Sequence, residues 1–382
     1  MDGFAEYSKG KPRGEFPELA KKFIDTDAKK ISWSSSLILD LQRLRKTRFH
    51  GTAVTQAVYR PYCKVNAYFD QDMIHRVGQF PQIFPRASSA NLVICMTGVG
   101  NRIDFSVLIT DSVPDLHMAD SNGASQCFPL YLYEEEKLQE GLLIRHEPKG
   151  EVVDGYRRSS AIADAILIDF RAAYEARITK EDIFYYVYGV LHSPEYRTRF
   201  ASDLKKMLAR LPFTCETANF WRFSDAGRDL ARWHLKYETV EPWPVNESTG
   251  ELFLEPEKDF LVQQMTFGRA TAEQKARGEK VDKTTIHYNS RIMLTNIPLE
   301  AYDYVVNGKS AIEWIMERYQ VTVDKHSGIR NDPNDWAREH KQPRYILDLL
   351  KRVIAVSMET MKIVQSLPAV NERIDDPAMP VV

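Results

Sequence analysis

Cysteine is scarce in this chain of 382 residues: there are four, Cys63, Cys95, Cys127 and Cys215, each standing alone. No C-x-x-C occurs, and no cysteine has a histidine at zinc-ligand spacing. The sequence therefore offers neither a zinc knuckle nor a disulfide framework, and buried thiols are expected. Long apolar runs are missing too, none approaching the ~18 residues a membrane helix needs. The start, MDGFAEYSKGKPRGEF, has no apolar stretch behind a positive end and is unlike a secretory signal. Charge of one sign is also lacking, with 51 Lys and Arg against 53 Asp and Glu. A polyanion could be gripped only if basic residues gather on one face.

Several catalytic signatures are absent as well. No G-x-x-x-x-G-K-[ST] occurs, which speaks against a P-loop ATPase. TGVGNRI (97–103) has G-x-G but no third glycine, and it reads as a turn between strands. There is no G-x-S-x-G elbow. There is no N-P-P-Y-like tetrad of the kind an amino-methyltransferase uses to hold an extruded base.

What is present predicts a mixed α+β fold: β-hairpins and sheet with packed helices and a helical C-terminal part. The first 30 or so residues are polar and read as a linker. A serine cluster before an apolar run predicts a helix over 35–46. TAVTQAVYRPYCKVNAYFD (52–70) reads as strand, turn, strand. NLVICMTGVG (91–100) and FSVLITDSVP (105–114) predict a hairpin, and SQCFPLYLYE (125–134) a third strand. DGYRRSSAIADAILIDFRAAYEARI (154–178) contains a helix. Between Val240 and Pro298 the pattern is β-like, in ELFLEPEKDFLVQQMTFG and TTIHYNSRIMLTNIP. SAIEWIMERYQV and PRYILDLLKRVIAVSMETMKIVQSL then read as helices, with Pro343 at the start of the last.

The densest segment is YYVYGVLHSPEYRTRFASDLKKMLARLPF, 185–213. Ser193, Pro194 and Glu195 suit a helix start. Tyr196, Phe200, Leu204, Met207, Leu208 and Leu211 recur every three or four residues and predict one apolar face running to Pro212. Arg197, Arg199 and Lys205 fall off that face, open to solvent or a phosphate. From Arg197 to Lys236, nine Lys or Arg stand against four acids, which suits phosphate contact and equally describes a solvated face.

A second basic stretch, RATAEQKARGEKVDKTTIHYNSRI (269–292), reads as a Gly-containing loop between strands that either enters a groove or stays mobile at the surface. One constellation would suit a Mg²⁺ nuclease: Asp115 after Pro114, then Glu135 and Lys137. YEEEKLQEG also reads as an exposed charged turn, which such common residues form often.

Six segments in order resemble a known family: YRPYCKVNAYFDQ, NLVICMTGVGNRIDFSVLITDSVPDLH, SQCFPLYLYE, IFYYVYGVLHSPEYRTRFASDLKKMLARLP, FSDAGRDLARWHLKYETVEPWP and YVVNGKSAIEWIMERYQVTVDKHSGIRNDPNDW. They are similar to the C-terminal specificity region of Type ISP restriction-modification enzymes, and to recognition domains in related Type IIL enzymes. The resemblance spans about Tyr59 to Leu367. It implies a target recognition domain over 59–367, helical from about 309. Residues 1–58 would be a linker or the end of an upstream methyltransferase, and 368–382 a tail. It implies double-stranded DNA as partner, beside the methyltransferase, helicase and nuclease domains of a parent enzyme, in the cytoplasm and away from membranes. The motor, nuclease and methyltransferase motifs are missing here, so no catalytic residue is carried over. S-adenosylmethionine, ATP and Mg²⁺ are expected only in those other domains. The chain would be a truncated gene, a separately encoded specificity part or an expressed fragment.

Base-reading residues of such domains vary with the sequence read, so candidates follow from chemistry. Arg and Lys pair with guanine, and Asn and Gln with adenine. Those near the expected strands are Arg86, Asn101, Arg102, Asn122, Gln126, Arg269, Lys283, Asn289 and Arg291. Arg197, Arg199 and Lys205 are assigned to phosphate.

Overall fold

Three short helices open the chain: α1 (Asp2–Tyr7), α2 (Phe16–Phe23) and α3 (Ser35–Gln42). The computed structural model describes all residues except 1, 28, 31, 47, 71–72, 75–76, 121–122, 137–149, 215, 251–253, 371–378 and 381–382. Phe4, Phe16, Ala20 and Leu41 form a small core among these helices, with Phe4 edge-on to Phe16 at 5.7 Å. The polar start therefore folds where composition predicted a linker. Ser34 caps α3, its Oγ accepting the Leu37 N–H at 3.2 Å.

The expected strand–turn–strand follows as β1 (Val54–Arg60) and β2 (Cys63–Tyr68), paired antiparallel. After α4 (Phe80–Ile83), β3 (Val93–Met96) and β4 (Val107–Thr110) form the expected hairpin. β5 (Val113–Pro114) lies parallel to β1. SQCFPLYLYE divides between two sheets. β6 (Gln126–Pro129) pairs with β3. β7 (Tyr131–Glu135) joins β8 (Glu151–Val153) and β9 (Tyr156–Ser160), with β9 central.

In the sheet ordered β4–β3–β6, strands β3 and β4 are buried on both faces. Val93, Cys95 and Leu108 belong to one hydrophobic cluster. Ile94, Met96, Val107 and Ile109 belong to a second. Alternate side chains point to opposite faces of a strand, so unbroken apolar runs such as VICM are what a doubly covered sheet requires. The same register places Cys95 opposite Cys127, Sγ atoms 3.5 Å apart as free thiols.

The second cluster holds α5 (Asp164–Ala173), α6 (Lys180–His192) and α9 (Thr217–Leu235). A capping box between Thr179 and Asp182 starts α6. α6 and α9 cross at glycines. A Cβ on Gly227 would lie 1.9 Å from the Tyr185 carbonyl oxygen, and one on Gly189 would lie 2.2 Å from that of Phe223.

The single helix expected over 193–212 is a broken one: α7 (Pro194–Arg199), α8 (Ala201–Leu204), then β10 (Arg210–Leu211). Its start is as expected, with Ser193 Oγ accepting the Tyr196 N–H at 3.3 Å. The rest is drawn back by buried phenols. Tyr196 Oη donates to the Arg210 carbonyl at 2.7 Å, and Tyr186 Oη to that of Pro212 at 2.6 Å. Met207, placed by pattern on the apolar face, is exposed.

A four-stranded antiparallel sheet follows, ordered β11–β14–β13–β12, from β11 (Asn246–Ser248), β12 (Thr266–Arg269), β13 (Val281–His287) and β14 (Met293–Thr295). α10 (Pro256–Asp259) occupies part of the first expected strand, and α11 (Ala272–Ala276) part of the basic loop. α11 has its own capping box from Thr271 and Gln274. α12 (Ala311–Arg318), α13 (Asn334–Glu339) and α14 (Tyr345–Gln365) complete the fold. Pro343 precedes α14 by two residues, and Leu347, Leu350, Val353, Ile354 and Ser357 form its buried face.

Candidate nucleic-acid interface

Three segments converge on a cleft of about 590 Å³: the turn between β3 and β4, the region around α7 and α8, and the hairpin Val305–Ser310. The turn depends on Gly100, whose φ of 82° lies in the left-handed region that glycine tolerates. The Gly100 N–H donates to the Lys205 carbonyl at 2.9 Å, tying the turn to the end of α8. Asn101 Oδ1 accepts the Ile103 N–H at 2.9 Å, which fixes the orientation of its amide. The Asn307 N–H donates to Ser106 Oγ at 2.9 Å and holds the hairpin in place.

Arg197 and Lys205 line this cleft together with Asn101. The Arg197 guanidinium lies 5.7 Å from the Phe105 ring, and its Nε donates to the Leu191 carbonyl at 2.7 Å. Burial lowers its pKa to about 10. Lys205 is exposed, its Nζ 3.9 Å from a fully exposed Asp104. Asn101 Nδ2 is buried and has no partner. The pattern thus placed Arg197 on an open face, whereas the fold half-buries it in the wall of a cleft. Arg102, next in the turn, is exposed and makes no ion pair among the described residues.

Beside Arg197 lies a buried polar chain. His192 Nδ1 hydrogen-bonds the Tyr188 carbonyl at 2.8 Å, and its Nε2 is buried without a partner. Tyr188 Oη lies 2.6 Å from His234 Nδ1 and accepts the Ile109 N–H at 3.1 Å. His234 Nε2 reaches Thr360 Oγ1 at 2.9 Å. Burial holds His234 down to about 3, and burial with the Arg197 charge holds His192 well below the usual range. Both are neutral, structural imidazoles.

The other candidates are dispersed. Arg86 is exposed and sits 5.5 Å over the Tyr156 ring, beside a cleft of about 920 Å³ between β1 and the segment after α4. Gln126 is half-buried in β6, opposite Met96. Asn122 lies outside the described residues. Arg199 turns the other way and donates to the Val370 carbonyl at 3.3 Å. Arg269 is exposed at the end of β12, opposite Val281. Lys283 reaches Glu313 at 3.1 Å, its ammonium 4.9 Å from the Tyr302 ring. Arg291 lies 3.3 Å from Asp259.

Asn289 is fully engaged within the fold. Its Nδ2 donates to the carbonyls of Asp259 and Leu261 at 2.8 and 2.9 Å. Its Oδ1 accepts the N–H groups of Arg291 and Ile292 at 2.9 and 2.8 Å. Two donors and two acceptors are all an amide has, so no edge is left for a base.

The pattern passed over Arg157 and Arg158, although DGYRRSS shows them side by side. They occupy β9 and pair with Glu136 and Glu151, and Arg158 also covers the Tyr131 ring at 4.6 Å. In the nuclease-like constellation, Asp115 Oδ1 accepts from Arg60 and from the His117 N–H at 2.9 Å. Glu135 lies in a different sheet, and Lys137 is outside the described residues. Among the described residues, no three His, Cys, Asp or Glu converge as metal ligands.

Comparison with known proteins gives a consistent result. The family model described as the Type ISP C-terminal specificity domain matches residues 11–349. A nuclease-deletion mutant of the Type ISP restriction-modification enzyme LlaGI, solved in complex with a DNA substrate mimic, is 33% identical with a TM-score of 0.74. The match covers 94% of this chain and 28% of that one. The ATP-dependent Type ISP enzyme LlaBIII, solved bound to DNA, is 31% identical with a TM-score of 0.76, covering 94% and 22%. The DrdV–DNA complex is 28% identical with a TM-score of 0.74, covering 98% and 33%. The chain therefore spans a third or less of the length of these solved relatives. No curated protein matches it.

Proposed function

The chain belongs to the Type ISP C-terminal specificity domain family, and from that premise we propose that it reads a DNA sequence on behalf of a restriction-modification enzyme. The observation that carries this is the shared fold over 94% or more of the chain with relatives solved on DNA. Adenine methylation and cleavage, with S-adenosylmethionine, ATP and Mg²⁺, would belong to other domains of a parent enzyme working in the cytoplasm. Among the described residues, no helix is long and apolar enough to cross a membrane.

The exposed guanidiniums of Arg86, Arg102 and Arg269 are free of carboxylate partners among the described residues and suit guanine O6 and N7. Gln126 and Asn122 remain candidates for adenine. Lys205 and Arg199 suit the backbone. Asn289 and Lys283 act instead as structural pins.

Selection from a pool of randomised duplexes, at low and high salt, tests the reading. An enriched motif supports it. Binding without enrichment reduces the role to phosphate grip, and absence of binding at low salt overturns it for the chain alone.

A further inference from the structure

The cleft between the β3–β4 turn, α7–α8 and the hairpin Val305–Ser310 holds a charge that the fold leaves unanswered. Arg197 is half-buried, yet among the described residues no carboxylate pairs with it. Its guanidinium makes one hydrogen bond, from Nε to the Leu191 carbonyl, and its two terminal nitrogens have none. Its neighbours are neutral: the Phe105 ring, the phenols of Tyr188 and Tyr304, and an uncharged His192. A cation partly withdrawn from water without a counter-charge is costly, and such charges are ordinarily paired or held for a ligand.

The rest of the cleft also supplies donors. Asn101 Nδ2 has no partner, and Lys205 stands at the mouth. Two of the three hydroxyls that line the cleft are already engaged. Thr97 Oγ1 donates to the Ser106 carbonyl at 3.2 Å and accepts its N–H at 2.7 Å, and Ser106 Oγ accepts the Asn307 N–H. The one carboxylate, Asp104, is exposed at the rim and free to swing away. A site offering donors and positive charge wants a ligand made of acceptors.

We propose that this cleft is a phosphate site, with the Arg197 guanidinium as its floor and Lys205 as its gatepost. The ligand is an oxyanion of the phosphate class, supplied either by a DNA backbone or by a free phosphate compound. A planar guanidinium fits two phosphate oxygens at once. The proposal stands apart from sequence reading: a chain that reads no bases would still bind phosphate here.

The test uses the whole chain and two probes. In thermal denaturation at constant ionic strength, inorganic phosphate gives a saturable rise in Tm over chloride. Arg197→Met abolishes that rise and Lys205→Ala reduces it at least twofold. Without ligand, Arg197→Met melts no lower than the parent, because an unpaired, half-buried cation has been removed. If Arg197→Met does not fold, Lys205→Ala, an exposed change, decides alone. No phosphate-specific rise, or an undiminished rise in either variant, overturns the proposal. A DNA duplex is the second probe. Weaker binding by both variants, with a salt slope smaller by about one, assigns the phosphate to a DNA backbone. Unchanged DNA affinity with the phosphate response lost assigns it to a free phosphate compound.

Discussion

Replacing Gly227 by alanine should destabilise the protein, although in most helices the same change is favourable. Alanine gains about 1 kcal/mol over glycine in a helix interior. Here the new methyl would sit 1.9 Å from the Tyr185 carbonyl oxygen and 3.0 Å from the Gly189 nitrogen. Both obstacles are backbone, so no side chain can rotate away. Ordinary contact begins near 3.4 Å, so α9 must move about 1.5 Å from α6. That displacement opens the aromatic packing beneath, where Tyr186 and Phe220 stack at 5.0 Å. Overpacking a close-packed site costs about 1–3 kcal/mol, occasionally more, and rigid neighbours put this site at the top of that range. After the helix gain is subtracted, a net loss of about 2 kcal/mol is expected. Urea denaturation followed by circular dichroism measures it, with Gly14→Ala as control, since a Cβ there meets nothing within 4 Å. A Gly227→Ala protein with the parent's midpoint and slope would refute the close crossing of α6 and α9.

Other outcomes follow from the same geometry. Asn289→Ala should lower stability by about 2–4 kcal/mol, because four backbone groups lose their partner; DNA preference changed without any loss of stability in denaturant titration would contradict the pinning role. Stability should fall as pH drops from about 6.5 toward 5, because the unfolded chain takes up protons at His192 and His234 that the folded chain refuses. The slope approaches about 1.4 kcal/mol per pH unit for each histidine, and a flat profile in that window would contradict their burial as neutral groups. Cys63, its thiol pushed up to about 11, and Cys95, pushed up by burial beside Cys127, should resist iodoacetamide at pH 8 until denaturant is added; peptide mapping reads the labelling. Arg269→Ala should leave the melting temperature unchanged and weaken duplex binding, with a salt slope smaller by about one, measured by fluorescence anisotropy at several salt concentrations.

Much of the fold was legible because it follows from local pattern. β1 and β2, the β3–β4 hairpin and α14 each show a clean period or run, and each forms where expected. The break after Arg199 was not legible. It is imposed by the phenols of Tyr186 and Tyr196, which bond to carbonyls 26 and 14 residues away. The folded start escaped composition for a similar reason, since Phe4 finds Phe16 and Leu41 only once the helices pack. For the site, spacing singled out basic and amide residues by their chemistry alone. It could not show that Asn101, Arg197 and Lys205 share a cleft, or that Asn289 is consumed by its own loop. Helical phase told that Arg197 leaves the apolar face of its own helix, but not that Phe105 from another element would cover it.

The sheet β4–β3–β6, whose alternate residues serve two hydrophobic clusters, bears on how the protein could be re-engineered. A slip of one residue in β3 would exchange Ile94 with Cys95 and send every side chain into the wrong cluster. The strand is thus an anvil that tolerates little revision. The β3–β4 turn, carrying Asn101 and Arg102, projects from that anvil at its rim. On the proposed reading of DNA, new specificities are to be sought by swapping such rim segments whole while the strands beneath them are left untouched.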